Sequence, residues 1–426
     1  MALLQKNFVQ GRTPTCRALV LSLVLVAIAG CGSGAGGDAP STSAATLPPT
    51  PIVNSIAVPS ENVLAISVNS GLARNVNHAY ASVTICEPGS SSSCQTIDQI
   101  IVDTGSSGLR ILSSAISAPL SLPQVTDSSG DPIAECTQFA GGFSWGPLKR
   151  ADVNIAGEKA SSLAIHVIGE PGFAEVPARC AGTGAPLNSL YSLRANGVLG
   201  VGAFRQDCGS ACAQSASPGI YYACPPSGCQ SVVRPVHEQV QNPVSKFARD
   251  NNGIILELPA IAEDGAAGAS GALVFGIGTR ANNGLGSASV LTLNPATGAL
   301  TTKFNDGSIS ESILDSGSNA LYFQDSSIPL CNSTRAAGCY CPTSTRQLTA
   351  VIQGANGINA AVSFSVANAE ALMANNPGFT AFANLASPRI TYPSFAWGLP
   401  FFYGRNVYVA FEGANTPAGP GPYVAF

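Results

Sequence analysis

Apolar positions in this chain come in short, β-branched runs that alternate with polar ones and stop at Gly, Pro, Ser or Asn, the pattern of half-buried strands. Two runs share one design. Residues 100–112 (IIVDTGSSGLRIL) and 312–323 (SILDSGSNALYF) are each an apolar stretch that halts on Asp, a hydroxyl residue, Gly and Ser, then turns apolar again. With Asp103 set on Asp315, the windows that begin at Ile101 and Ile313 agree at Ile, Asp, Gly, Ser and Leu. Such a run predicts a buried strand that breaks into a tight loop holding one carboxylate. The glycine lets a second backbone come close, and the hydroxyls can hydrogen-bond the acid. Two copies, one per half-chain, predict two similar lobes that meet at a pair of aspartates.

The remaining pattern adds elements around that pair. Alternation over 53–70 predicts one or two lead-in strands. Residues 78–86 (HAYASVTIC) and 97–103 (IDQIIVD) read as a β-hairpin across a Ser- and Cys-rich connection, 87–95. Leu109 and Ile111 resume a strand, and 366–376 (VANAEALMANN) is a helix-prone exception. Charged residues are only 10% of the 426, against roughly 25% in an average soluble protein, while 45 Gly and 30 Pro punctuate the chain. Together these predict an all-β protein with many loops. A net charge of −4 without a Lys/Arg cluster argues against nucleic acid or an anionic membrane surface as partner.

The N-terminus reads as a targeting segment. Lys6, Arg12 and Arg17 precede the apolar run 18–29, which is short for a membrane span. The run ends Ile28-Ala29-Gly30-Cys31 and resembles the lipobox of bacterial lipoprotein signal peptides, which implies a lipid on Cys31 and a place in the cell envelope. The alternatives are an ordinary cleaved signal or a transmembrane anchor. The domain reading is therefore a signal over 1–31, a Gly/Ser/Ala/Thr/Pro linker over 32–52, a first lobe over 53–234 and a second over 235–426. Setting aside Cys16 and Cys31, eleven cysteines remain, several close in sequence, which suits short-range disulfides in an oxidising compartment. Cys86 with Cys94 and Cys136 with Cys180 is one set that fits, with connectivity left open. An odd count implies at least one thiol that is free or paired to another molecule. Cys208, Cys212, Cys224 and Cys229 could alternatively hold zinc.

DTGSSGL at 103–109 and LDSGSN at 314–319 resemble the two active-site loops of the pepsin-like aspartic proteases, and residues 78–413 carry further, patchier likeness. The resemblance implies a bilobal acid-protease fold, two pseudo-twofold-related β-barrel lobes with a cleft between them. It implies Asp103 and Asp315 as the catalytic dyad. Thr104 and Ser316 would each reach across to the opposite loop's backbone. Ser106 and Ser318 would hydrogen-bond the carboxylates' outer oxygens, and the NH groups of Gly105 and Gly317 would do the same. Residues 137–168 are similar to the flap hairpin over the cleft, with Phe139 where the family usually carries a tyrosine and with Gly141, Gly142 and Gly146 at or near its tip. The tryptophan that this tyrosine often hydrogen-bonds is replaced by Arg110, whose guanidinium could lie over the Phe139 ring.

Further along, 195–204 (ANGVLGVGAF) is similar to the apolar-apolar-Gly segment behind the first Asp loop, and Cys208–Cys229 is an excursion without a close family counterpart. Residues 235–258 resemble the interlobe stretch, a short amphipathic helix leading into a strand. Residues 270–280 resemble a strand-and-glycine segment of the second lobe, and 398–413 the closing segment with Arg405. There Leu399-Pro400 stands where the second apolar-apolar-Gly is expected, and a proline cannot donate the backbone hydrogen bond.

The family chemistry needs no nucleophilic side chain, metal or cofactor. The partner implied is an extended polypeptide, acted on by a monomer. His78, His166 and His237 sit in ordinary strand or loop contexts and read as structural or solvated. Gly276-x-Gly278 lacks the helix and acidic partner of a nucleotide loop. Between Cys31 and Asn77 the only basic residue is Arg74, so no basic, acid-released prosegment is expected. Two rivals remain. One is a non-catalytic polypeptide-binding lipoprotein on the same fold, motivated by the altered flap pair and Pro400. The other is a disulfide-rich envelope protein whose Asp loops are ordinary turns. Uncharacterised bacterial lipoproteins with this two-Asp pattern form a further branch to which the chain could belong.

Overall fold

The computed structural model describes residues 56–58, 60–388 and 394–426. The signal segment, Cys31 and the 32–52 linker lie outside these residues. The chain is mostly β, as the alternation predicts, and no helix among the described residues is long and apolar enough to cross a membrane.

Strand β1 (Val63–Val68) leads in, and the predicted hairpin follows as β2 (Ala79–Cys86) and β3 (Cys94–Asp103), tied at its mouth by the Cys86–Cys94 disulfide. Then come β4 (Ser107–Leu112), β5 (Ile133–Phe139), β6 (Gly142–Ile155), β7 (Glu158–Ile168) and β8 (Gly197–Val201). Strands β2, β3, β8, β4, β7 and β6 neighbour one another in that order, and β6 pairs back to β2, which closes the sheet into a barrel. Apolar side chains fill it: Val83, Ile100, Val102, Leu109, Ile111, Val153 and Leu199 are all fully buried.

The Cys-rich excursion carries two small strands, β9 (Tyr221–Ala223) and β10 (Gln230–Ser231), that extend the sheet from β5. Its four cysteines form the disulfides Cys208–Cys212 and Cys224–Cys229, so no thiolates remain there for zinc. Cys136–Cys180 and Cys331–Cys341 complete five disulfides among the described residues, and both pairings singled out from the sequence are present. The short amphipathic helix expected in 235–258 does not form. Pro235 and Pro243 interrupt the stretch, and each opens only a single 3₁₀ turn, Val236–Glu238 and Val244–Lys246.

The chain continues with β11 (Gly253–Leu258), β12 (Ala269–Phe275), β13 (Val290–Thr292), β14 (Leu300–Phe304), β15 (Gly307–Leu314) and β16 (Leu321–Tyr322). After these come β17 (Arg346–Gln353), β18 (Asn359–Val366), β19 (Ala386–Ser387), β20 (Ser394–Trp397) and β21 (Arg405–Ala410). A small hairpin, β22 (Asn415–Thr416) and β23 (Gly419–Pro420), precedes the final β24 (Tyr423–Ala425). The helix expected near 366–376 forms over Ala369–Asn375, where the Asn368 side chain caps it by accepting from the Ala371 NH at 2.9 Å.

Two sheets share the second half. Strands β14 to β20 make a seven-stranded sheet over an aromatic pile in which Phe395 stacks on Trp397 at 4.3 Å and on Phe323 at 5.0 Å. Strands β11, β12, β21 and β24 instead join the first half. β1 lies against β12 over its whole length, from Val63 opposite Val274 to Val68 opposite Ala269. The series β1, β12, β11, β21, β24 is antiparallel throughout. Asn77, fully buried, also reaches from the first half into the second. Its amide donates to the Asn319 and Phe382 carbonyls and accepts from the Phe382 NH and the Tyr403 hydroxyl.

Candidate active site

Each Asp loop is delivered by the same three-strand device. β3 ends on Asp103, the chain turns into β4, and β8 threads between them, parallel to β3 and antiparallel to β4. In the second half β15 runs into Asp315, the chain turns into β16, and β20 threads between them with the same directions. The register sets Gly200 opposite Asp103, and Leu314 opposite Trp397, which brings Gly398 level with Asp315. Both glycines are required by close approach. A Cβ on Gly200 would meet Ser107 N at 2.7 Å, and one on Gly398 would meet the Ala320 carbonyl at 2.1 Å. The second apolar-apolar-Gly is therefore Ala396-Trp397-Gly398. Leu399-Pro400 lies one step beyond, in the first turn of the short helix Leu399–Phe402, where a proline costs no hydrogen bond. Pro400 does not perturb the loop behind Asp315, and Leu399 N still donates to the Ser318 carbonyl at 2.7 Å.

The two loops grip each other reciprocally. Thr104 Oγ1 donates to the Leu314 carbonyl at 3.0 Å and accepts from Ser316 N at 3.0 Å. Ser316 Oγ donates to the Val102 carbonyl at 2.7 Å and accepts from Thr104 N at 3.0 Å. Thr104 and Ser316 are buried, so these are interior hydrogen bonds that set the spacing of the loops. On each loop a serine holds the outer carboxylate oxygen: Ser106 on Asp103 Oδ2, and Ser318 on Asp315 Oδ2 at 2.6 Å. The glycine NH groups take the other oxygen in each case, Gly105 on Asp103 Oδ1 at 2.8 Å and Gly317 on Asp315 Oδ1 at 3.0 Å. They thus differ from the sequence expectation, which put them on the outer oxygens.

The inner oxygens of the two carboxyls, Asp103 Oδ1 and Asp315 Oδ1, face each other across the two loops. The position a Gly105 Cβ would occupy is 2.6 Å from Asp315 Oδ1 and 3.1 Å from Asp103 Oδ1, so any side chain there would collide with the pair. Burial, and then the charge of Asp315, pushes the Asp103 carboxyl up to about 7 against the pull of Ser106 and the Gly105 NH. A cavity of about 130 Å³ opens over both acids. It is walled by Phe139 and Ala140 from the β5–β6 tip, and by Phe204, Leu293, Gly298 and Ile313 from elsewhere in the chain. Gly142 and Gly146 serve close packing: a Cβ would meet the Ala185 carbonyl at 2.0 Å and the Val167 carbonyl at 1.9 Å respectively. Gly141, at the tip, has open space around it.

Arg110 lies 5.9 Å from the Phe139 ring centroid, at the outer edge of a cation–π contact, and its main partners are others. Fully buried, it pairs with Glu135 at 2.7 Å and with Asp207 at 3.5 Å, and it donates to Thr137 Oγ1 at 2.7 Å and the Ser107 carbonyl at 2.9 Å. His166 Nδ1 lies 3.1 Å from Glu135, and the Tyr221 hydroxyl donates to Asp207. Burial alone would raise the Glu135 carboxyl, but Arg110 and His166 outweigh it and hold Glu135 below the ordinary carboxylate range. Burial, and then Glu135, pushes Asp207 well above that range. Burial also lowers His166, against the upward pull of Glu135. Sequence reasoning missed this cluster. Its one local signal is a charge set inside an apolar run, Arg110 between Leu109 and Ile111 and Glu135 between Ala134 and Cys136.

Residues 58–426 match the family described as "Protein of unknown function (DUF3443)", and the chain belongs to that family. No curated protein matches it.

Proposed function

We propose that this member of the DUF3443 family is an aspartic endopeptidase, its two halves forming the lobes of a pepsin-like fold with the β5–β6 hairpin as flap. The observation that carries the reading is the reciprocal Thr104–Ser316 grip, which sets Asp103 against Asp315 at the floor of a cavity. Ordinary turns have no reason to interlock in this way or to set a buried acid, Asp103, against a second one, since burying one acid beside another is costly.

Two carboxyls this close hold one proton between them. The ionised member takes a proton from a water molecule as its oxygen attacks the scissile carbonyl carbon, while the protonated member gives its proton to the carbonyl oxygen. The gem-diol formed then collapses. A proton passes from the dyad to the amide nitrogen while one gem-diol hydroxyl gives its proton back to the other carboxylate; the C–N bond breaks to release an amine and a carboxylic acid, and the pair is again left with one proton. Ser106, Ser318 and the two glycine NH groups fix both carboxyls throughout, so the site is pre-organised for charge movement between them. The cavity wall is predominantly apolar, which suits a peptide bond flanked by apolar side chains. The lipobox-like Cys31 supports an envelope location on a lipid tether, with the substrate an extended polypeptide.

The test is a soluble chain beginning after Cys31, beside Asp103→Asn and Asp315→Asn, incubated with a diverse peptide mixture from about pH 3 to 7. New termini in the parent, absent with both variants, are expected, and they yield the specificity directly. A folded parent that cleaves nothing at any pH would overturn the reading in favour of non-catalytic polypeptide binding.

A further inference from the structure

We propose that the second half of the chain carries a binding site for a small carboxylate with a flat apolar body, in a cavity beside the aromatic pile where Arg405 receives the acid group. The cavity is about 170 Å³ and shares no lining residue with the one over the two aspartates, so the proposal does not depend on the peptidase reading.

Leu321, Val362, Phe364, Trp397 and Phe401 wall this cavity, so its body is apolar and largely aromatic. An apolar cavity of about 150 Å³ is enough to take a benzene ring. Ser363, which is exposed, and Ser365 line it as well, so it meets solvent on the side of β18, the edge strand of its sheet. The polar atoms of the inner rings are already engaged: Trp397 Nε1 donates to Thr302 Oγ1 at 3.0 Å, and the Tyr403 hydroxyl donates to Asn77 at 3.0 Å. Arg405 is the exception. Its Nη1 donates to the Phe401 carbonyl at 2.5 Å, and its Cζ lies 4.6 Å from the centroid of the Phe401 ring, which seats the guanidinium on the cavity wall. A guanidinium carries five N–H groups in a fork that matches a carboxylate. Elsewhere the chain gives a buried arginine an acid: Arg110 meets Glu135 and Asp207, and Arg234 meets Glu238. Arg405 meets no acid among the described residues, and burial opposes its charge with nothing to offset it. A planar body against the rings and a carboxylate on Arg405 satisfy both halves of the site together. The acid group comes either from a free small acid or from the carboxyl end of a polypeptide whose last side chain is aromatic.

Trp397 lines the cavity, so tryptophan fluorescence reports on it directly, with titration calorimetry as the second readout. The chain beginning after Cys31, which keeps every described residue, is titrated with benzoate beside benzamide and acetate. Benzoate is expected to give a saturable change in emission. Benzamide lacks the charge and acetate lacks the ring, and each is expected to bind roughly tenfold or more weaker. Arg405→Gln is expected to bring benzoate down to the level of benzamide. Should that variant not fold, the comparison of benzoate with benzamide in the parent decides. A short peptide ending in Phe as the free acid, beside its C-terminal amide, identifies the source. Saturable binding of the peptide acid but not of the amide supports the site as a reader of polypeptide ends, and binding of benzoate without the peptide acid supports it as a site for free small acids. No saturable signal from benzoate or the peptide acid, equal affinity for acid and amide, or parental affinity in Arg405→Gln would each overturn the proposal.

Discussion

Asp103 binds its proton far more tightly in the folded protein than in an unfolded chain, because burial and Asp315 both oppose its ionisation. Protein stability follows from that difference. Between the ordinary carboxylate range and about 7 the folded state holds a proton that the unfolded state has released, so stability falls as pH rises through this window and levels off above it. Each unit of displacement corresponds to about 1.4 kcal/mol. Denaturant titrations from about pH 4 to 8 are expected to show this decline in the parent and a flatter profile in Asp103→Asn, and parallel slopes would contradict it. The aspartates and their hydroxyl neighbours were legible in the sequence because their chemistry is local: acid, glycine and hydroxyl lie within four residues. The Arg110 cluster was not. Glu135, His166, Asp207 and Tyr221 come from well-separated stretches, and nothing but the folded sheet brings them together.

Among the elements, the strands were read well where alternation is strong and one face is buried, as in the β2–β3 hairpin and the first threading strand, β8. The second threading strand was misplaced by one step. Its residues, Phe395-Ala396-Trp397, belong to an aromatic pile and read as core, while the conspicuous Pro400 drew the motif onto a helix start. The interlobe helix failed for the opposite reason, since its apparent amphipathicity spans two prolines. Gly398→Ala tests the corrected register. Its methyl would lie 2.1 Å from the Ala320 carbonyl and 2.6 Å from the Ser318 carbonyl. Thermal and denaturant unfolding should show a loss of about 1–3 kcal/mol. On the proposed peptidase reading, cleavage should disappear with it, since the Ser318 carbonyl that the methyl would strike belongs to the Asp315 loop. A variant of parental stability would return the motif to Leu399-Pro400.

At the scale of the molecule, a boundary near residue 235 divides the sequence but not the sheet. β1 belongs to the first half and fills the edge of β12 in the second, and Asn77 spends its whole amide on second-half partners. Residues 235–426 expressed alone would expose β12 as a long apolar edge, a template for association. Such a fragment is expected to be insoluble or aggregated by size-exclusion chromatography and to be recovered by co-expression with residues 53–234. A monomeric, cooperatively folding fragment would show that the halves are independent. Long-range pairing of this kind left no trace in local alternation, because β1 reads the same whichever strand it meets.

The order β1, β12, β11, β21, β24 also has a mechanical meaning. Each strand reverses the last, so β1 and β24 point the same way, and the chain enters and leaves this series at opposite ends. Tension applied between those two ends runs along the strands. It stretches the hydrogen bonds of each ladder together instead of peeling them off one by one. A globule tugged by its leading segment would therefore resist in shear, with the load carried away from the loops that hold the two acids.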